Sequence, residues 1–204
     1  MTVLRGEKVV LRDKSVADTA RDYAWRTDEE LCRLDAATPL HMAFPEFLMF
    51  SVDELEYPTP RRRRFAIDTL DGKHIGNCMY YDINEAASEC ELGIMVGDRD
   101  YWDKSYGADA VRTLLDHIFT ATRMKRVYLH TLDWNLRAQR AFARAGFLPC
   151  GRVTRSDKTF ILMDILREQW EGRKLAAQKL QPWIAAPGNG AEPVPKPVGV
   201  KGQK

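Results

Sequence analysis

Between residues 105 and 121 the chain carries one unbroken helical stripe. Val111, Leu114, Leu115, Ile118 and Phe119 recur at the i, i+3, i+4, i+7 spacing that lines one side of a helix with apolar side chains. A stripe of that width must lie on something equally apolar, and the flanking segments supply it. Arg63–Asp68, His74–Ile83 and Glu89–Val96 read as three antiparallel strands, the first two joined by the hairpin signal Asp71-Gly72-Lys73 and the last two by a turn over Asn84–Ser88. Arg126–Thr131 reads as a further strand after the helix. A long amphipathic helix set between strands predicts an α/β (α+β) domain built around a single mixed, largely antiparallel sheet flanked by helices.

The ends of the chain extend this pattern. Lys8–Arg12 reads as a first strand, and Ser15 is placed to cap a helix to about Arg26 with Val16, Ala20, Tyr23 and Ala24 on its inner face. Thr27–Leu31 opens a second short helix. Residues 36–60 hold Pro39, Pro45, Pro58 and Pro60 and read as irregular, with at most a helical turn over Pro45–Phe50. Asn135 stands where an N-cap belongs and Gly146 where a C′ glycine belongs, so a short helix is expected between them. Phe147–Val153 and Thr159–Ile165 read as the last two strands. The expected organisation is one domain over residues 1–166, a C-terminal helix over 167–181, and a tail over 182–204. Five of the ten prolines and four of the 13 glycines fall in that tail, a composition that builds no core.

Charge narrows the function classes. The net charge is +2, but residues 167–204 alone carry seven basic and three acidic side chains. The body before them is therefore mildly acidic, which argues against a nucleic-acid binder that works through a basic face. No apolar run approaches the ~20 residues of a membrane-spanning helix, and Met1–Lys8 lacks the apolar stretch of a secretory signal. Cys32, Cys78, Cys90 and Cys150 are widely spaced, with no C-x-x-C pair. They read as reduced thiols of a cytoplasmic protein without a metal site.

Chemistry is most visible at Tyr101-Trp102-Asp103-Lys104-Ser105-Tyr106-Gly107-Ala108-Asp109-Ala110. A strand ends, a loop with small residues follows, and the amphipathic helix begins. Unpaired N–H groups and the helix dipole make such a start an anion site, where Gly107 lets backbone approach a phosphate and Lys104 adds charge. The plainer alternative is an ordinary capped helix. Downstream stands Asn135-Leu136-Arg137-Ala138-Gln139-Arg140-Ala141-Phe142-Ala143-Arg144-Ala145-Gly146-Phe147.

These two segments, with Glu91-Leu92-Gly93 before them, resemble the GNAT superfamily of acyl-CoA-dependent N-acyltransferases. The likeness is greatest to the branch that acetylates N-terminal amines of ribosomal proteins and to its small-amine relatives. The loop is similar to that branch's Y-W-G-K-G-Y-[GA]-T-E-A, and the later segment to its N-x-x-[AS]-x-x-x-[YF]-x-[KR]-x-G-F. Asp103 and Ser105 stand where the branch has glycine, and Ala108-Asp109 where it has Thr-Glu.

The resemblance implies acetyl-CoA (coenzyme A) as cosubstrate, bound in a V-shaped split between the fourth and fifth predicted strands. The pantetheine arm would pair with backbone at Ile94, Met95 and Val96. The diphosphate would rest on N–H groups of Lys104, Ser105, Tyr106, Gly107 and Ala108. Asn135 would hydrogen-bond near the pantetheine and Phe142 would pack beside the sulfur. Glu91 and His130 fall where relatives carry a general base, and an imidazole suits base work near neutral pH. Each also has a plain structural reading, a solvated or ion-paired strand residue for Glu91 and a structural strand histidine for His130. Phe142 replaces a tyrosine that many relatives use to protonate the departing thiolate, leaving Tyr101, Tyr128 or a water for that step.

Two readings of function follow. The first is an N-acetyltransferase acting on a primary amine: a protein N-terminus, a lysine or a small amine. The second, favoured by Phe142 and Ser105, is a catalytically silent acyl-CoA-binding module. The acceptor would be set by residues of about 28–60 and 154–160. There Asp28, Glu29, Glu30 and Asp35 face either a cationic amine or solvent, and Arg61–Arg64 form either an anion contact or a charged sheet edge. Neither reading involves a membrane, and both are compatible with a homodimer.

Overall fold

The computed structural model describes residues 2–185, with side chains through 176. The chain divides into a unit of Met1–Trp170 and one of Glu171–Lys204. The first unit holds all the strands: β1 (Val3–Arg5), β2 (Val9–Asp13), β3 (Arg62–Thr69), β4 (His74–Asn84), β5 (Glu89–Val96), β6 (Arg126–Leu132), β7 (Leu148–Arg155) and β8 (Lys158–Leu166). Its helices are α1 (Thr19–Thr27), α2 (Glu29–Leu34), α3 (Phe44–Glu56), α4 (Tyr106–Ala121) and α5 (Leu136–Ala145). α6 (Arg167–Ala185) crosses from one unit into the other and runs four residues past its expected end at Gln181. The rest of the expected tail lies outside the described residues.

The strands form one sheet in the order β1-β2-β3-β4-β5-β6-β8-β7. Every pairing is antiparallel except β5 with β6. That parallel pair is the pivot of the fold. Its register covers only Glu89↔Arg126, Cys90↔Val127 and Glu91↔Tyr128, after which the two strands part. Arg126 latches the zipped end, donating to Glu89 of β5 and to Asp164 of β8, each at 2.8 Å. Because β1 precedes the first strand read from sequence, the expected split between the fourth and fifth strands lies between β5 and β6.

α4 delivers the predicted stripe: Val111, Leu114, Leu115, Ile118 and Phe119 are all buried against the sheet. α5 is bounded as expected, by the Asn135 side chain accepting from Ala138 N–H and by Gly146 at φ 115°.

Three expectations fail. α1 buries Thr19, Asp22 and Trp25, while Val16, Ala20 and Ala24 are exposed and Tyr23 is half-buried. The sheet face beneath α1 carries cations, so the helix turns its acids inward. Arg12 pairs with Asp18 just before the helix, and Lys14 Nζ reaches Asp22 at 2.6 Å while Asn77 donates to the same carboxylate. These partners hold the Asp18 carboxyl well below its ordinary range despite its burial. Residues 44–56 form a full helix, started by Pro45 in its first turn, where the missing N–H costs nothing. The segment over 97–104 is not wholly irregular, since Arg99–Tyr101 makes a 3-10 turn capped by Asp98.

Candidate active site

The parting of β5 from β6 opens two cavities that meet at the fork. One, of about 440 Å³, runs from Ile94, Met95 and Val96 of β5 to Ser105, Gly107 and Ala108 at the start of α4. The other, of about 940 Å³, lies under α2, α3 and the β7–β8 turn and holds Glu91 and His130. Asp35, Ile94, Met95, Asn135 and Phe142 form a wall common to both.

At the first cavity the chain reaches α4 through two left-handed residues, Asp103 at φ 56° and Ser105 at φ 68°. Ser105 makes no side-chain cap, so the first N–H groups of α4 have no side-chain partner there. A Cβ built on Gly107 meets nothing nearer than Val96 Cγ2 at 3.5 Å. Packing therefore does not demand glycine at 107, and the gap it leaves opens onto the cavity. Lys104 and Tyr106 do not line either cavity. Lys8 Nζ donates to the Lys104 carbonyl at 3.1 Å, and the Tyr106 ring packs edge-on against Tyr101. Asp109 is buried and accepts the N–H groups of Lys8 and Val9, fastening the β1–β2 turn to the helix start.

The facing wall comes from α5. Arg137, Arg140 and Arg144 stand at i, i+3 and i+7 on the side of the helix that borders this cavity. The sequence reading did not single them out, although their spacing within the quoted motif already places them on one face. The Arg137 guanidinium lies 3.4 Å from the centroid of the Trp102 ring, and Trp102 Nε1 donates to the Val96 carbonyl at 2.6 Å. Trp102 thus packs the loop against the end of β5. One wall of this cavity offers backbone N–H groups and the other three guanidiniums, an arrangement that suits a polyanion.

At the fork the sheet brings Glu91 and His130 together. His130 Nδ1 lies 2.9 Å from Glu91 Oε1, and the two side chains are 13–15% exposed. With the carboxylate ionised, Nδ1 carries the proton and Nε2 keeps its lone pair, the tautomer that a base needs. Tyr128 and Phe160 hold the imidazole edge-on from two sides.

A β-bulge follows Tyr81, with Tyr81 opposite Glu91 and Asn84 opposite Glu89. Tyr81 lines the second cavity, and burial together with Glu91 pushes its phenol pKa upward, so it keeps its proton. This neighbour was missed because nothing in the sequence marks which residue of β4 faces Glu91. Tyr128 is shifted upward for the same causes.

Phe142 is buried and packs edge-on against Phe147. Asn135 uses both ends of its amide: Oδ1 caps α5 at Ala138 N–H, and Nδ2 donates to the Leu34 carbonyl at 3.3 Å. Among the described residues no group of three or more His, Cys, Asp or Glu side chains is placed to hold a metal ion. Nor is any helix there long and apolar enough to cross a membrane.

This geometry has relatives. A crystal structure of spermidine N-acetyltransferase from Vibrio cholerae in complex with CoA and spermine is similar at a TM-score of 0.70 and 18% identity, over 80% of this chain and 98% of that one. An aminoglycoside acetyltransferase in complex with coenzyme A is similar at 0.69 and 19%, over 81% and 99%. The uncharacterized N-acetyltransferase p20 of Bacillus licheniformis is 23% identical over 128 residues, 62% of this chain and 71% of that protein. The family model for the acetyltransferase (GNAT) domain matches residues 8–148, which take in both strands of the split, β5 and β6, the loop into α4 and all of α5. The chain belongs to the GNAT acetyltransferase family.

Proposed function

We propose that this domain moves an acetyl group from acetyl-CoA to a primary amine by direct attack, with His130 as the base and Glu91 as the group that orients it. The observation that carries the reading is the 2.9 Å His130–Glu91 hydrogen bond, made in the second cavity where β5 and β6 part. The diphosphate rests on the N–H groups of Ser105 to Ala108 and faces Arg137, Arg140 and Arg144. The pantetheine lies along Ile94 to Val96, and the thioester ends beside Phe142. The amine enters from the second cavity. Its lone pair attacks the thioester carbon, the C–N bond forms, the C–S bond breaks, and His130 Nε2 takes the amine's proton, while the departing thiolate takes a proton from water and the imidazolium returns its own to solvent. A thiol with a reference pKa near ~8.5 is a tolerable leaving group, so Phe142 does not block the step. The balance is neutral: amine plus thioester gives amide plus thiol. The loop's likeness to the ribosomal N-terminal branch supports an α-amine among the acceptors.

Thiol release from acetyl-CoA with a panel of amines tests the reading. His130→Ala is expected to lower kcat by about 10²–10⁴-fold while the KM for acetyl-CoA stays within about twofold. Binding of acetyl-CoA without thiol release across the panel would favour the silent module instead.

A further inference from the structure

Any reading of the acceptor must account for the charges that line the larger cavity, among them five Asp or Glu and five Lys or Arg side chains. A polycation would be met by an excess of acid, which this wall does not have. Most of these charges already answer one another. Asp22 is held by Lys14, Glu54 by Arg62 and Arg64, and Glu91 by His130.

What remains is concentrated at one place, the backbone that leaves α2. Among the described residues the Asp35 carboxylate makes one ion pair, with Arg26 at 3.7 Å. Lys158 Nζ, from the β7–β8 hairpin, donates to the carbonyl of Ala36 at 2.9 Å, one residue along the chain from Asp35. Arg155, at the end of β7, lines the same cavity and makes no ion pair among the described residues, and the same is true of Asp82 beside the β4 bulge. The segment Leu34–Ala36 is fixed where it stands. Asn135 donates to the Leu34 carbonyl from across the split, Lys158 donates to that of Ala36, and Ala36 itself takes φ 55°. An acid and two cations therefore border the larger cavity, and the segment that carries the acid is braced twice from the β6–β8–β7 half of the sheet.

Resting on the acetyl-transfer reading, we infer that the acceptor is an amphoteric amine, one whose amino group lies a few bonds from a carboxylate or phosphate. Asp35 receives its ammonium end before deprotonation, and Lys158 with Arg155 receives its anionic end. Asp35 lines both cavities, so an amine held there stands at the boundary it must cross to reach the thioester.

The test uses matched pairs of amines differing only in the anionic group: glycylglycine against its amide, and O-phosphoethanolamine against ethanolamine. Spermidine and kanamycin serve as polycations. Each is assayed for kcat/KM and, separately, titrated calorimetrically into the full chain saturated with CoA. The anionic member of at least one pair is expected to win by about tenfold or more, an increment of ~1.4 kcal/mol, and the pair that wins tells carboxylate from phosphate. Lys158→Gln keeps a donor for the Ala36 carbonyl, and with Arg155→Ala it should bring the ratio within that pair close to one. Asp35→Asn should weaken both members alike and preserve the ratio.

Binding with this preference but no thiol release keeps the inference and removes the catalytic reading. Turnover that favours spermidine or kanamycin keeps the catalytic reading and overturns the inference. A pair ratio near one, or no binding of any amine, also overturns the inference.

Discussion

The two cavities meet at one fork, yet their walls are built by different physics. On the CoA side, α4 anchors the loop with eight buried residues, and Asp109 ties the β1–β2 turn to the first turn of that helix. On the acceptor side, α3 has 13 residues and buries none of them completely. Phe44, Met49 and Phe50 are exposed there. Beside the packing of Phe44 and Phe47 on Tyr23, hydrogen bonds and ion pairs hold this side: Glu54 with Arg62 and Arg64, Asn135 with Leu34, Lys158 with Ala36. The half of the site proposed to grip the carrier is part of the hydrophobic core, and the half proposed to choose the acceptor is held by polar contacts at its surface. An acyl carrier presents the same diphosphate and pantetheine whatever the acceptor, so a rigid wall suits it. Acceptor specificity can change without disturbing the core.

The sharpest way to break this contrast is to cut each side once. Leu114→Ala, at a fully buried position in α4, should cost about 2–5 kcal/mol in denaturant unfolding. Phe50→Ala in α3, where the ring is 59% exposed, should change stability by no more than about 0.5 kcal/mol. Comparable losses at the two sites would erase the distinction. A smaller effect separates fold from ligand within the CoA side. In Gly107→Leu the new Cβ meets only Val96 Cγ2, at an ordinary contact distance of 3.5 Å, so its melting midpoint should stay close to wild type, while affinity for CoA falls about tenfold. A variant that unfolds without losing affinity would mean Gly107 serves packing.

The smallest effect is a slope against pH. Asp35 is exposed to the cavity void yet deeply recessed among protein atoms, and that burial, opposed by Arg26, raises its pKa to about 6. An unfolded aspartate titrates near ~3.9. Between those values the folded chain holds more protons than the unfolded one, so this residue makes stability fall as pH rises from about 4 to about 6. Asp35→Asn should remove that fall, equalling or exceeding wild-type stability at pH 7 and losing any advantage near pH 4. Thermal melts across that range check the sign.

How much could be read from the chain alone follows the same division. The stripe on α4, the Asn135 and Gly146 caps and the strands from β2 to β6 were legible because local period and capping chemistry decide them, while the three-residue β1 was too short to show a pattern. α1 was turned the wrong way because its inner face is polar, and its acids are explained only by Arg12 and Lys14 on a strand formed elsewhere. The extent of α3 was hidden by Pro45 within it, by Pro39, Pro58 and Pro60 around it, and by the absence of a strong inward stripe. The return of β8 to lie beside β6, with β7 outside it, depends on long-range pairing that no local pattern records. Glu91 and His130 were each readable as candidates, but their contact depends on the three-residue parallel register of β5 with β6. Tyr81 escaped notice because its place opposite Glu91 is set by the β4–β5 register at the bulge.

The central claim is that the fork between β5 and β6 is a passage, with the carrier on one side and the amine on the other. A crystal structure with CoA tests it most directly. The account predicts the diphosphate on the N–H groups of Ser105 to Ala108, the pantetheine along Ile94 to Val96, and the sulfur on the line from Phe142 toward His130. A CoA molecule seated elsewhere, or β5 and β6 paired beyond Glu91 and Tyr128 with the fork closed, would contradict it.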